Sequence, residues 1–134
     1  METDIEQKEQ VNQTESLQEL VKDDYSGALM ERLYPRITHA YDHFRNEQAE
    51  LFYKKHLDYG MKNIAAGTDL KNDAEKAFAL EGLWFRISDK VNRWQNMMLS
   101  GRPVNNESLA DTFNDIANYA TIARLVLEDK WIEG

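Results

Sequence analysis

The sequence contains no cysteine and no long run of apolar residues in its 134 positions. Without cysteine the chain has no disulfide scaffold, no thiol active site and no cysteine-ligated zinc or iron–sulfur centre. No apolar stretch approaches the ~18 residues of a membrane-spanning helix. The opening residues METDIEQKEQ contain no apolar leader core. We therefore expect a soluble, unprocessed, cytoplasmic protein that has no membrane partner.

Basic residues are also scarce, because 16 Lys and Arg stand against 24 Asp and Glu, a formal net charge of −8. Proteins that bind duplex nucleic acid need a dense basic face, so no such partner is expected. Residues 1–27 alone carry eight acids and only two bases. This segment has few apolar residues to bury, so we expect it to be a disordered acidic tail whose partner is unknown. Residues 28–134 are then one domain.

The spacing of apolar residues predicts an all-α bundle of three or more long helices after the tail. The first helix spans about 36–57. The second spans about 73–99 and is capped by Asp73, and the third is capped by Asn106 and runs to about residue 127. No stretch alternates between apolar and polar residues with a period of two, so strands are not expected.

Two predicted helices carry apolar stripes with alternating steps of four and three residues. The stripe of the second helix is Leu80, Trp84, Ile87, Val91, Trp94 and Met98. The stripe of the third helix is Leu109, Phe113, Ile116, Ala120, Ala123 and Leu127. We expect both stripes to form the core. Further apolar residues lie outside the stripes, so we also expect a homo-oligomer, a dimer or a tetramer, to cover them.

Acidic residues line one face of the third predicted helix, opposite its apolar stripe: Glu107, Asp111 and Asp115, followed by Asn118. One interpretation is a solvated face. The other is a groove, because apolar residues continue the same face one to two turns later. Carboxylates clustered in a groove repel one another unless a cation holds them, and such oxygen ligands suit Mg²⁺ or Mn²⁺.

The second predicted helix carries Arg86, Asp89, Lys90 and Arg93 within one arc of its surface. Such spacing is typical of a salt-bridged solvent face. The three cations are equally suited to bind phosphates, with Asp89 joining a metal ion. The sequence contains no glycine-rich phosphate loop and no dinucleotide-binding fingerprint.

Three segments occur in a fixed order: KKHLDYGMKNI at 54–64, FRISDKVNRWQNMM at 85–98 and NESLADTFNDIANYATIA at 106–123. Together they resemble the nucleotide modification associated domain family of bacteriophages. That family is similar to the MazG-like all-α nucleotide pyrophosphohydrolases. The resemblance implies a MazG-like fold in the cytoplasm of a phage host, with a nucleotide as the ligand of residues 28–134.

The resemblance also implies roles for individual residues. Asp89, Glu107 and Asp111 would be catalytic and, with Asp115, would hold Mg²⁺ or Mn²⁺. Arg86, Lys90 and Arg93 would bind phosphates. Tyr59, Asn63, Asn118 and Tyr119 would contact the base and sugar.

Two functions follow from this resemblance, and a third does not need it. The first is a Mg²⁺-dependent pyrophosphohydrolase that cleaves a (d)NTP to the monophosphate and pyrophosphate. The second is a protein that binds or sequesters a nucleotide without hydrolysis. It is favoured because Phe85 and Arg86 stand where the MazG-like pattern has acids. The third is a structural bundle whose acidic tail binds a partner.

We predict that the acidic tail is dispensable for folding and assembly. A chain that begins at Ser26 should keep its helicity by circular dichroism and its assembly size by light scattering. The reason is that the removed segment has little apolar surface to contribute to a core or an interface. A cooperatively folded product of smaller assembly size would contradict this prediction.

Overall fold

The computed structural model describes residues 25–65, 67–102 and 107–131. Within these ranges the chain forms five α-helices and no strand, which confirms the all-α prediction. The helices are α1 (Ser26–Leu33), α2 (Pro35–Tyr59), α3 (Lys62–Ala65), α4 (Asp73–Ser100) and α5 (Leu109–Leu127). The predicted tail lies outside the described residues as far as residue 24. No helix in the described ranges is both long enough and apolar enough to cross a membrane.

The described residues belong to two compact units, divided between Asn46 and Glu47. The first contains α1, which the sequence analysis did not predict, and the beginning of α2. Tyr34 separates the two helices with φ −136° and ψ 66°. The break has a local cause, because a residue that precedes a proline is disfavoured in the helical region. Pro35 then begins α2, since a helix does not need the N–H of its first residue.

Local capping interactions determine where α4 and α5 begin. Asn72, rather than the predicted Asp73, caps α4, and its side chain accepts a hydrogen bond from the Glu75 N–H at 2.9 Å. Ser108, rather than Asn106, caps α5. Asn106 itself lies outside the described residues. Both corrections move the cap by one or two residues to a side chain whose oxygen can reach a free N–H of the first turn.

The second unit contains the core, which forms where α4 and α5 run antiparallel. Leu83 of α4 and Ile122 and Val126 of α5 are almost fully buried. Trp131, just beyond α5, is also buried, and its indole N–H donates to the Met61 carbonyl oxygen at 2.9 Å. This bond joins the segment after α5 to the segment before α3.

The predicted apolar stripes contribute only to the margin of this core, where Leu80 and Ala123 pack partly buried against it. This is the main correction to the sequence analysis. Trp84 is 62% exposed, Met98 63% and Leu127 61%. The buried positions of α4 are Ala79 and Leu83 instead, on a face rotated away from the stripe. The face that meets α5 also carries the cationic arc of α4. Asp115 of α5 and Glu107, just before α5, pair with two of those cations, Lys90 and Arg93. With these charged faces turned inward, both stripes face outward.

We predict that the core position Leu83 dominates the stability of the α4–α5 pair. Leu83→Ala should lower the free energy of unfolding by about 2 to 5 kcal/mol, because it leaves a cavity in a packed site. Leu57→Ala is the matched control, since Leu57 is 85% exposed and should change stability by less than about 0.5 kcal/mol. Urea denaturation followed by circular dichroism measures both values, and equal losses would contradict the placement of the core.

Candidate functional site

A cavity of about 360 Å³ lies between α3 and α4. Its lining is Asn63, Ile64, Phe78, Ala79, Glu81, Gly82, Leu83, Phe85 and Arg86. The buried side chains of Ile64, Ala79 and Leu83 make its wall apolar, whereas Phe78 and Phe85 are more than half exposed. Apolar walls with a few polar groups are typical of small-molecule sites, which begin at about 300 Å³.

Arg86 is the cation of this cavity. Its guanidinium donates to the Asn63 side-chain oxygen at 3.5 Å and lies 5.9 Å from the centre of the Tyr119 ring. Within the described residues Arg86 makes no ion pair, so its charge is available to an anion. The structure therefore brings together three residues predicted to bind nucleotide: Asn63, Arg86 and Tyr119.

Lys90 is the centre of an ion-pair network between α4 and α5. Its ammonium nitrogen lies 3.0 Å from a Glu107 carboxylate oxygen and 2.8 Å from an Asp115 oxygen. Lys55 of α2 binds the other Asp115 oxygen at 2.6 Å. Arg93 donates to the Glu107 carbonyl oxygen and to the Thr112 hydroxyl. The predicted phosphate ligands Lys90 and Arg93 are thus bound to groups of this chain.

The network changes the pKa values of its members. Burial alone would raise the pKa of the Asp115 carboxyl, but hydrogen bonds from Lys55 and Lys90 outweigh it and hold that pKa below its usual range. Burial alone would lower the pKa of Lys90, but hydrogen bonds to Asp115 and Glu107 raise it. The Asp115 and Lys90 side chains therefore stay charged near neutral pH.

Of the carboxylates predicted to hold Mg²⁺, Glu107 and Asp115 lie together, but on the Lys90 ammonium group. A cation of this chain thus offsets the repulsion expected between clustered acids. Asp111 accepts from the Ser108 N–H at 3.3 Å as part of a capping box. Asp89 lies exposed on α4. No group of three His, Asp or Glu side chains suited to a metal occurs in the described ranges. This donor set does not fit the ion, and Mg²⁺ or Mn²⁺ stays a prediction of the resemblance.

Two further predicted nucleotide contacts lie away from the cavity. Asn118 donates its side-chain N–H to the Gln48 carbonyl oxygen at 3.2 Å and so ties α5 to the later part of α2. Tyr59 is exposed at the end of α2 and is not among the lining residues. Neither contributes to the arrangement around Arg86.

The sequence analysis assigned no site role to three residues that the structure brings forward. Lys55 pairs with Asp115, and a sequence-level clue was its position in the first resembling segment. Phe78 and Phe85 line the cavity. Their position outside the apolar stripe was the available clue, because an aromatic residue away from the predicted core needs another contact.

We predict that Asp115 stabilises the fold fully above about pH 4 and progressively less as the pH falls below it. A carboxyl whose pKa is lowered by folding contributes stability above its unfolded pKa of about 3.9, and loses it as the pH falls further. Asp115→Asn should therefore cost about 1.5 to 3 kcal/mol at pH 7, the range for a charged hydrogen bond. This difference from the parent protein should shrink as the pH falls below about 4.

The control for this prediction is Asp89→Asn, the same change at an exposed acid of α4. Chemical denaturation at pH 7 and at pH 3 measures the free energy of unfolding of the parent and both variants. A loss in Asp115→Asn that does not depend on pH would show that hydrogen-bond geometry, and not charge, accounts for its contribution.

Comparison of the chain with protein-family models, with curated proteins and with solved structures gave no match. The assignment of function therefore depends on the contacts described above. Among them, the cavity beside Arg86 is the arrangement best suited to a ligand, because it combines apolar walls with a cation that makes no ion pair to the part of the chain that the structure describes.

Proposed function

We propose that this protein, as a homo-oligomer, binds a nucleotide in the cavity beside Arg86 and retains it without hydrolysis. The observation that carries the proposal is the meeting of Asn63, Arg86 and Tyr119 next to a cavity lined by Phe78 and Phe85. These residues come from three separate helices, and two of them were predicted to contact base and sugar.

The cavity offers complementary groups to the two ends of a nucleotide. A guanidinium suits phosphate because its N–H groups can form two parallel hydrogen bonds. Exposed aromatic rings such as those of Phe78 and Phe85 suit a base, since base stacking contributes about 1 to 3 kcal/mol. Glu81 lines the same cavity five residues before Arg86, about 7.5 Å along the helix axis. Its carboxylate repels phosphate and can accept from an exocyclic amino group, which assigns the base to that end.

Retention without cleavage is supported by the ion-pair network. Glu107 and Asp115 are neutralised by Lys90 and Lys55, and Asp111 serves the cap of α5. Recruiting these acids to a metal would require breaking charge-assisted hydrogen bonds that hold α4 to α5. Hydrolysis with Mg²⁺ stays the alternative implied by the resemblance, and one experiment separates the two.

That experiment incubates the protein with a panel of (d)NTPs, with and without Mg²⁺, and resolves the products by chromatography beside calorimetric titration. We expect a heat of binding with at least one nucleotide and recovery of that nucleotide unchanged. Release of pyrophosphate in Mg²⁺ would contradict retention. Absence of binding across the panel would contradict the proposed function as a whole.

We predict that Arg86→Ala weakens nucleotide binding by about 10-fold to 150-fold, the equivalent of about 1.5 to 3 kcal/mol for a charged hydrogen bond. Arg102→Ala is the matched control, because Arg102 is exposed beyond the end of α4 and does not line the cavity. Calorimetry with the best-bound nucleotide measures both. Equal affinities of the two variants would remove Arg86 from the site.

A further inference from the structure

The two apolar stripes lie side by side on one open face of the α4–α5 pair. We call them the α4 stripe (Leu80, Trp84, Ile87, Val91, Trp94, Met98) and the α5 stripe (Leu109, Phe113, Ile116, Ala120, Ala123, Leu127). They meet where the rings of Trp94 and Phe113 pack edge to face, with centroids 4.8 Å apart. Trp84, Val91, Met98 and Leu127 are all at least 45% exposed in the single chain. The face is continuous and faces solvent.

The spacing of both stripes is that of helices that pack against other helices. Each alternates steps of four and three residues over its whole length, which places two apolar residues in every seven, and no stripe position is charged. A sustained 3.5-residue apolar repeat is typical of a seam between long helices. A helix face that stays in water does not need such a repeat. The pattern therefore indicates that other helices pack on this face.

We propose that a second copy of this chain packs on this face through two-fold symmetry, so that α4 and α5 of both copies form a four-helix bundle. The two stripes are equal in length and spacing, and a second copy supplies an equally long pair of uncharged seams. Two-fold symmetry requires such a self-complementary surface.

The exposed area is close to what a stable dimer needs. With about 150 to 250 Å² for each large side chain, the exposed parts of the two stripes amount to roughly 600 Å² per chain. A standard interface takes about 800 Å² from each partner, and the backbone and flanking side chains beside the stripes supply the remainder. The largest apolar patch of an ordinary monomer covers about 300 to 600 Å². The exposed stripes of this chain therefore lie at the upper end of that range.

Charge at the edges of the face specifies how the two copies are oriented. Contacts between α4 and α5 join Lys90 to Asp115 and Arg93 to Thr112, so equal steps along the two helices stay level. By this register Glu81 of α4 lies level with Arg124 of α5, and both are exposed on the outer edges of the face. In the single chain Arg124 pairs with Glu128 at 3.2 Å, and both side chains are more than half exposed. If α4 packs on the partner's α5, each edge sets Glu81 beside Arg124 as well. This orientation is therefore part of the proposal.

The dimer face and the nucleotide cavity lie on different sides of α4. Phe78, Gly82 and Phe85 line the cavity, whereas Trp84, Val91 and Met98 belong to the stripe. Glu81 belongs to both, because it lines the cavity and also lies at the edge of the dimer face. The two proposals are therefore distinguished by Val91→Glu, which alters the dimer face and leaves every lining residue of the cavity in place.

The first test measures the assembly mass of the full chain by light scattering coupled to gel filtration. We expect twice the chain mass of 15.7 kDa for the parent protein. Val91→Glu should weaken the dimer by about 100-fold or more, because symmetry would bury two unpaired carboxylates. Leu57→Glu is the matched control, since it adds the same charge at an exposed leucine of α2. A monomeric parent, or a Val91→Glu variant as dimeric as the control, would overturn the proposal.

The second test leaves both stripes intact and so does not depend on whether Val91→Glu folds. The parent chain has no cysteine, so introduced thiols are the only ones. Under mild oxidation the double variant Glu81→Cys/Arg124→Cys should form a covalent dimer on a non-reducing gel, whereas each single variant should stay monomeric there. No cross-link in the double variant, or equal cross-linking in a single variant, would overturn the proposed packing of α4 on the partner's α5.

Discussion

The pairing of Lys90 with Glu107 and Asp115 is the interaction on which the rest of the structure depends. The Lys90 side chain is 21% exposed and that of Asp115 12%. Charges this far from water are costly unless they meet a partner. Once the cations of α4 and the acids of α5 face each other, both the antiparallel direction and the register of the two helices follow. Leu83, Ile122 and Val126 are then enclosed beside the ion pairs and complete the contact.

Because the charged faces turn inward, apolar side chains of the two stripes stay exposed to water, and the single chain does not bury them elsewhere in its described residues. Trp84, Met98 and Leu127 remain in water, although their spacing is suited to a helix seam. A helix has a limited circumference, and a face given to ion pairs is not available to the apolar stripe. The same rotation that neutralises Glu107 and Asp115 therefore leaves an apolar surface that a second copy of the chain can cover.

Arg86 differs from the other cations of α4 in what it contacts. Lys90 and Arg93 bind groups of α5, whereas Arg86 lies next to the Asn63 amide and the Tyr119 ring, neither of which carries charge at neutral pH. It is one turn nearer the beginning of α4 than Lys90, at a level where α5 presents an aromatic residue instead of an acid. Within one turn of α4, the residue that α5 presents changes from Asp115 to Tyr119. Lys90 therefore holds the two helices together, whereas Arg86 lies beside the cavity.

The sequence by itself determined the three long helices α2, α4 and α5, because apolar spacing and residues such as Pro35 that begin a helix act within a few residues of each other. It also located the acidic face of α5, the cationic arc of α4 and, through the resemblance, Asn63, Arg86 and Tyr119. It did not reveal α1 or α3. Only the tertiary structure decided which face of each helix turns inward. A helix with one charged and one apolar face can pack by either, and the choice depends on what the neighbouring helix presents. For the same reason the sequence did not reveal that Lys90 of α4 meets Asp115 while Asp89 stays exposed, since small rotations about two helix axes decide which side chains meet.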